Sequence, residues 1–236
     1  MTLPLILLAG GHATRMWPET EKIPKSMLPV AGRPFIAHQL ELIVKNGISE
    51  IVICLGYLGG MIEEYLAEKP PFGLSVRFSY DGDLPLGTGG ATFKAASHIE
   101  SPFFVMYGDS YLTVDYNEVA CAFAKSGKPG LMTVYKNKNR WDNSNVVFAD
   151  GLIRAYSKKN RTCDMDYIDY GLGILQNGAF KDNMKGAAFD LADVYEELAL
   201  NGHLAGYEAE ERFYEVGSRE GLRELDEKLS KKIATA

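Results

Sequence analysis

The N-terminal stretch of the chain constrains its fold more than any other feature. The apolar run Leu5–Leu8 ends abruptly at the pair Gly10-Gly11, and two cations, Arg15 and Lys25, follow. Such a run is typical of a buried strand. Glycine lets the backbone approach a ligand closely, and N–H groups at such a turn bind phosphate oxygens. Nearby cations neutralise the charge that develops when a phosphorus atom is attacked. The stretch therefore predicts a strand followed by a loop that binds a nucleoside triphosphate.

Helices and strands alternate along the first half of the chain. Residues 34–46 have the spacing of a helix, Ile51–Leu55 is a buried strand, residues 88–98 are a second helix and Phe103–Met106 is a further strand. This order predicts an α/β fold with a Rossmann-like doubly wound sheet, mixed but mainly parallel. Ligands bind at the carboxyl ends of the strands in such sheets, and the glycine loop occupies one of these ends.

The second half of the chain contains both strand and helix patterns. Asp150-Gly151 predicts a hairpin turn, Ile168–Leu175 a strand, and residues 190–200 a helix. A last helix is predicted from Ser218, which can cap it. Neither an internal repeat nor a low-complexity linker separates the halves, so we expect one domain over residues 1–236.

Charge and cysteine content exclude several classes of protein. The net charge is −6, which argues against a broad surface for nucleic acid or for an anionic membrane. No apolar run approaches the roughly 20 residues of a membrane span. The cysteines are three in number and widely spaced, a pattern that favours a reducing cytoplasm over a disulfide framework. A homo-oligomer is compatible with the sequence.

Three ordered motifs carry a resemblance to one family. They are Gly10–Arg15 with Pro24–Val30, then Leu86–Ala91, then Tyr107–Asp109. They resemble the G-G-x-G-T-R and P-K-P-[LM]-[LV]-P-[VI], L-G-T-[AG]-G-A and [NY]-G-D segments of the sugar-1-phosphate nucleotidyltransferases, or NDP-sugar pyrophosphorylases. The chain is most similar to the small monofunctional members, the heptose- and mannose-1-phosphate guanylyltransferases and N-acetylmuramate-1-phosphate uridylyltransferase.

Two residues depart from the first motif. Ala13 stands in place of the third glycine, and Ser26 stands in place of the second proline. Alanine is unfavourable where the backbone needs a positive φ. The sequence therefore predicts the loop but leaves its path open.

The resemblance implies a nucleotide-diphospho-sugar transferase fold and a reaction. An NTP and a sugar 1-phosphate would give an NDP-sugar and pyrophosphate, with residues 1–112 as the nucleotide-binding half and residues 113–236 as the sugar-phosphate-binding half. Arg15 and Lys25 would be the catalytic cations. The nucleotide would be bound by Leu8, Ala9, Gly10, Gly11, Gly87, Thr88 and Gly89.

The resemblance also implies a Mg²⁺ site. Asp109 matches the family's metal-binding aspartate, and Glu215 stands in a late segment where the family usually has aspartate. Mg²⁺ takes one or two protein carboxylates and completes its shell with water and substrate phosphates. These two residues are the predicted ligands.

Sugar-phosphate contacts are predicted in the second half. In the family's aromatic-x-Glu-Lys segment Lys159 takes the lysine position and Lys158 replaces the glutamate, although a solvated basic turn is the alternative. Tyr167–Gly173 resembles a strand of the family that reads N-[AG]-G-[IL]-Y, and Asp169 stands in place of its asparagine. Asp169 would accept hydrogen bonds from sugar hydroxyls. Asn143 and Asn145 could contact the sugar hydroxyls from a neighbouring strand.

Other functions stay open from the sequence alone. A cytidylyltransferase acting on a non-sugar phosphate such as phosphocholine shares the nucleotide half, and the family contains non-catalytic nucleotide-sensing paralogues. A glycosyltransferase would use a D-x-D motif, whose spacing occurs at Asp81-Gly82-Asp83. That segment is better explained as a turn.

Overall fold

The chain folds around one mixed sheet with helices on both faces. The computed structural model describes residues 3–180 and 188–234. The strands are β1 (Leu5–Leu8), β2 (Pro29–Val30), β3 (Arg33–Pro34), β4 (Glu50–Leu55), β5 (Ser75–Tyr80), β6 (Phe103–Tyr107), β7 (Ser110–Tyr111), β8 (Gly130–Lys136), β9 (Val146–Ala149), β10 (Leu152–Tyr156), β11 (Tyr167–Leu175), β12 (Leu204–Ala209) and β13 (Tyr214–Glu215). The helices are α1 (Phe35–Lys45), α2 (Gly59–Glu68), α3 (Gly87–Ala96), α4 (Tyr116–Ser126), α5 (Leu191–Leu200) and α6 (Arg219–Ala234). In this part of the chain the main sheet has the order β5-β4-β1-β6-β11-β8-β12-β10-β9.

The first four strands of this order are parallel and doubly wound. Strand β1 pairs with β4 and β6, and β4 pairs with β5. Leu5 and Leu7 pack in one core with α1, α2 and α4, whereas Ile6 packs in a second core with α3 and α5. Alternate residues of a strand point to opposite faces. The predicted three-layer α/β arrangement is therefore confirmed.

The other half of the sheet departs from the prediction of a mainly parallel sheet. Strand β11 lies antiparallel between β6 and β8, and the hairpin β9-β10 adds antiparallel pairs at the edge. The eight neighbouring pairs therefore divide equally between parallel and antiparallel. The predicted hairpin turn is confirmed, since Asp150 and Gly151 have φ values of 54° and 72°. Both positive values suit the turn that joins twisted strands tightly.

The predicted helices agree with the structure to within two residues at most ends. The helix predicted at 34–46 is α1, and the one predicted at 190–200 is α5, which Asp190 caps. Helix α6 packs in a third core against β2 and Val216, next to the short strands. Among the described helices, none has both the length and the apolar character needed to cross a bilayer.

Close backbone contacts bring the loops that follow β1, β4 and β6 together. A Cβ on Gly56 would lie 2.6 Å from the carbonyl oxygen of Gly10. A Cβ on Gly108 would lie 2.5 Å from the carbonyl oxygen of Leu8. Hydrogen bonds cross the same contacts, from Tyr57 N–H to Gly10 O and from Gly108 N–H to Leu8 O. Glycine is required here because no side chain fits between the backbones.

We expect Gly56→Ala to lower the free energy of unfolding by about 1–3 kcal/mol, because the methyl group would meet backbone that cannot move independently. Gly60→Ala is the matched control, since Gly60 lies in α2 with open space around its Cα. Alanine in a helix stabilises by roughly 0.5–1 kcal/mol relative to glycine. Urea unfolding of both variants measures the difference. Equal stabilities would contradict the close contact.

Candidate active site

Two neighbouring cavities lie at the carboxyl ends of β1 and β6. The first, here called the loop cavity, encloses about 260 Å³. The second, here called the wide cavity, encloses about 880 Å³ and extends toward β11 and β13. Most predicted nucleotide-binding residues line the loop cavity, namely Leu8, Ala9, Gly10, Gly11, Gly87 and Thr88.

Gly89 does not line either cavity. A Cβ on Gly89 would lie 2.3 Å from the ring of Phe189, and one on Gly87 would lie 2.5 Å from the carbonyl oxygen of Phe189. Gly89 therefore packs against the segment that leads into α5 and lies outside both cavities.

The glycine loop keeps a left-handed turn although alanine has replaced the third glycine. Ala13 has φ 50° and ψ 40°. Its carbonyl oxygen accepts hydrogen bonds from Met16 N–H at 2.9 Å and from Thr20 Oγ1 at 2.8 Å. Left-handed backbone costs an L-residue about 1–2 kcal/mol. The two hydrogen bonds show how the loop holds its path despite that cost.

An ion pair connects the first motif with the third. Lys25 Nζ lies 2.9 Å from Asp109 Oδ2, with 22% and 33% of the two side chains exposed. Both residues line the loop cavity, and Asp109 also lines the wide cavity. A cation and a carboxylate therefore stand where the cavities meet.

Glu215 lies beside Asp109 through the pairing of β13 with β7. Glu215 stands opposite Ser110, and Val216 N–H donates to Asp109 O at 2.9 Å. The Glu215 carboxylate accepts from Gly217 N–H at 2.7 Å and from Ser218 Oγ at 2.8 Å. Asp109 directly precedes β7, and Glu215 is the last residue of β13. Two carboxylates on backbones joined in this way suit Mg²⁺, which keeps several positions for water and phosphate. The described residues contain no larger cluster of metal-ligating side chains.

Arg15 extends into the wide cavity from the short helical turn after the glycine loop. Its side chain is exposed and forms no ion pair with any residue that the structure describes. An unpaired cation beside a carboxylate pair can accept an anionic group of a ligand.

Asp169 lies in the wall of the wide cavity. Its Oδ1 accepts from Gly171 N–H at 2.9 Å, and its own N–H donates to Asn145 Oδ1 at 3.0 Å. Burial raises the pKa of the Asp169 carboxyl, although the Lys158 cation opposes the shift. The same wall thus holds a carboxylate that is costly to ionise.

The structure places the two lysines differently. Lys158 lines the wide cavity, with its Nζ 5.4 Å from the centre of the Tyr107 ring, whereas Lys159 does not line it. After β10 the Ser157 hydroxyl accepts from the N–H groups of Lys159 and Asn160 at 3.3 and 3.0 Å. This turn directs successive side chains to different sides.

Asn143 is also outside the cavity. It is exposed, and its N–H donates to Asp142 Oδ1 at 2.6 Å, so it serves the loop before β9. Asn145, two residues later, lines the cavity. The residue directly before β9, Asn145, therefore faces the wide cavity, and Asn143 does not.

Trp141 and Arg212 also line the wide cavity, and no motif indicated them. The Arg212 guanidinium lies 3.6 Å from the centre of the Trp141 ring and 4.5 Å from that of Tyr214. It is also paired with Glu224 at 2.7 Å. These residues come from distant segments of the chain. The one sequence signal for this wall is Trp141, a tryptophan in an otherwise polar stretch.

We expect Asp169→Asn to stabilise the protein more at neutral pH than at acidic pH. A raised pKa means that the folded state binds the proton more tightly, so ionisation above that pKa costs stability. Asparagine removes this cost and can still accept from Gly171 N–H. Thermal unfolding at several pH values measures the gap between variant and wild type. The gap should widen as the pH rises. A gap that is independent of pH would contradict the account.

Comparisons with known proteins agree with this geometry. Mannose-1-phosphate guanyltransferase of Gibberella zeae is 33% identical over 136 residues, which are 56% of this chain and 37% of that protein. D-glycero-alpha-D-manno-heptose 1-phosphate guanylyltransferase of Campylobacter jejuni is 27% identical over 179 residues, 75% of this chain and 77% of that one. A solved structure of HddC from Yersinia pseudotuberculosis complexed with GMP-PN has a TM-score of 0.80 at 25% identity and covers 97% of this chain and 100% of that chain.

The curated relatives and the family model cover different shares of their own length and of this chain. The chain spans 37% to 60% of the length of the first curated relatives that it matches. A model of the family described as nucleotidyl transferase matches residues 4–232, which is nearly the whole chain. With the glycine loop, the ion pair and the doubly wound sheet in place, the chain belongs to the nucleotidyl transferase family.

Proposed function

We propose that the chain transfers a nucleotidyl group from an NTP to a sugar 1-phosphate and releases pyrophosphate. The observation that carries this proposal is the Lys25–Asp109 pair at the junction of the two cavities. A reaction between two bound phosphates needs its charged groups at the place where the two substrates meet.

The NTP would occupy the loop cavity. The backbone of Gly10 and Gly11 faces this cavity without side chains, and Lys25 supplies a positive charge. Thr88 and Gly87 form the opposite wall at the start of α3. Backbone amides with a nearby lysine form a site suited to polyphosphate.

The sugar 1-phosphate would occupy the wide cavity. Arg15 and Lys158 supply cations for its phosphate, while Asp169 and Asn145 offer polar groups to sugar hydroxyls. Lys158 takes the role that the sequence suggested for Lys159, because Lys158 is the one that faces the cavity.

In the proposed reaction an oxygen of the sugar phosphate attacks the α-phosphorus of the NTP. A P–O bond forms, and the bond between the α-phosphorus and the bridging oxygen to the β-phosphate breaks, so that pyrophosphate leaves with that oxygen. The attacking phosphate is already an anion and needs no general base. Arg15 and Lys25 would stabilise the charge that spreads over the phosphoryl oxygens.

Asp109 and Glu215 would hold Mg²⁺ at this junction. The bound ion would neutralise phosphate charge and orient the two substrates. The pairing of Glu215 with Ser110 and the hydrogen bond from Val216 N–H to Asp109 O hold the two residues close in the backbone, and this arrangement supports the assignment.

Relatives favour a particular pair of substrates. The two similar enzymes are named for guanylyl transfer to mannose and to manno-heptose 1-phosphates. We therefore propose GTP and a manno-configured sugar 1-phosphate. A cytoplasmic location is proposed as well, in keeping with three free cysteines, of which Cys121 and Cys163 are exposed.

Pyrophosphate release with Mg²⁺ tests the function. Each of GTP, UTP, CTP, ATP and dTTP is combined with mannose, manno-heptose, glucose and N-acetylmuramic acid 1-phosphates, and with phosphocholine. The proposal predicts the strongest signal for GTP with a manno-configured acceptor. Release only with CTP and phosphocholine, or no release while NTP still binds, would overturn it.

We expect Arg15→Ala to lower kcat about 10²–10³-fold, the usual effect of losing one group that stabilises transition-state charge. Arg77→Ala is the control, since Arg77 is paired with Glu50 in the sheet and lines neither cavity. Steady-state pyrophosphate release measures both. Near-wild-type turnover of Arg15→Ala would refute its catalytic role.

We expect Asp109→Asn to lower turnover at least about 100-fold and to raise the Mg²⁺ concentration needed for half-maximal rate, since a metal ligand stabilises charge by several kcal/mol. Asp150→Asn is the matched control at an exposed site. A Mg²⁺ titration of the rate measures the effect. An unchanged Mg²⁺ requirement would contradict the assigned ligand.

A further inference from the structure

We infer that Asp190 is a positioning residue that holds Lys158 in the wide cavity and Thr88 in the loop cavity at the same time. The inference rests on the proposed function, because it assigns the two contacts to the two substrates. Asp190 itself lines neither cavity.

One carboxylate oxygen makes the contacts that matter. Asp190 Oδ1 accepts from Thr88 Oγ1 at 2.9 Å and lies 3.5 Å from Lys158 Nζ. The same Thr88 hydroxyl accepts from Leu191 N–H at 2.9 Å, so Thr88 is tied twice to the start of α5. Three segments that are far apart in the sequence therefore meet at this carboxylate.

The backbone at Asp190 is fixed before its side chain acts. Phe189 O accepts from Gly89 N–H at 2.9 Å, and Phe189 N–H donates to Leu86 O at 3.1 Å. The Phe189 ring fills the space that a side chain at position 89 would need. The segment before α5 is thus locked onto the glycine-rich start of α3.

A helix cap alone does not account for this arrangement. Asp190 Oδ1 does accept from Ala192 N–H at 2.9 Å, and Asp193 completes a capping box. Serine and asparagine cap helices as well as aspartate. The cap therefore does not require a charge, whereas the contact with Lys158 does.

The ion pair with Asp190 restricts the side chain of Lys158. Its side chain is 41% exposed and is long and flexible, so it loses much conformational freedom when it binds phosphate. Asp190 on one side and the Tyr107 ring on the other restrict it before the substrate arrives. Loss of the charge should weaken the sugar-phosphate contact while the nucleotide side keeps its hydrogen bond.

Asp190→Asn is the informative variant. Asparagine keeps the cap and can still accept from Thr88, but it carries no charge for Lys158. A partly exposed ion pair is worth up to about 1 kcal/mol, so KM for the sugar 1-phosphate should rise about fivefold. KM for the NTP should stay unchanged.

Two further variants distinguish a positioning role of Asp190 from a purely structural one. In a Lys158→Met background the added Asp190→Asn change should have no effect on KM, because the partner is gone. Asp193→Asn is the control, since its carboxylate contacts the Asp190 N–H and neither Thr88 nor Lys158. It should leave both KM values unchanged.

Pyrophosphate release by the unmodified chain is measured first. Its absence with every substrate pair would overturn the proposed function and this inference with it. With activity present, an unchanged or lowered KM in Asp190→Asn would overturn the inference alone. So would an equal effect of Asp190→Asn with and without Lys158.

Discussion

The ion pair between Lys25 and Asp109 is the contact on which the site depends. It joins a helical turn after β1 to the turn after β6, at 2.9 Å. Neither residue is fully exposed, so the pair is screened less than a surface salt bridge. Because Asp109 faces both cavities, the pair defines the point where the two bound phosphates would react.

Backbone packing sets the position of that pair. The loops after β1, β4 and β6 touch through Gly10, Gly56 and Gly108, with no space for side chains between them. Parallel strands bring their carboxyl ends to one edge of the sheet. The strand order β4-β1-β6 therefore places the glycine loop beside the turn that carries Asp109.

The sequence predicted the residues that line the loop cavity better than those that line the wide cavity, for a physical reason. A glycine loop after a buried strand is a local pattern, and it survives the replacement of a glycine by Ala13. The wide cavity depends on side-chain direction and on distant contacts. The turn at Ser157 places Lys158, and not Lys159, at the wall of the wide cavity. The stacking of Arg212 on Trp141 joins segments that no local pattern relates. The antiparallel position of β11 between β6 and β8 likewise depends on tertiary contacts and not on local sequence.

The position of the bond that breaks in the NTP tests the central claim most directly. GTP labelled with ³²P at the α-phosphate or at the γ-phosphate is incubated with mannose 1-phosphate and Mg²⁺, and the products are separated. If nucleotidyl transfer takes place, the α-label appears in a nucleotide-sugar and the γ-label appears in pyrophosphate. Transfer of the γ-label to the sugar, or α-label found only in free nucleotide, would contradict the account.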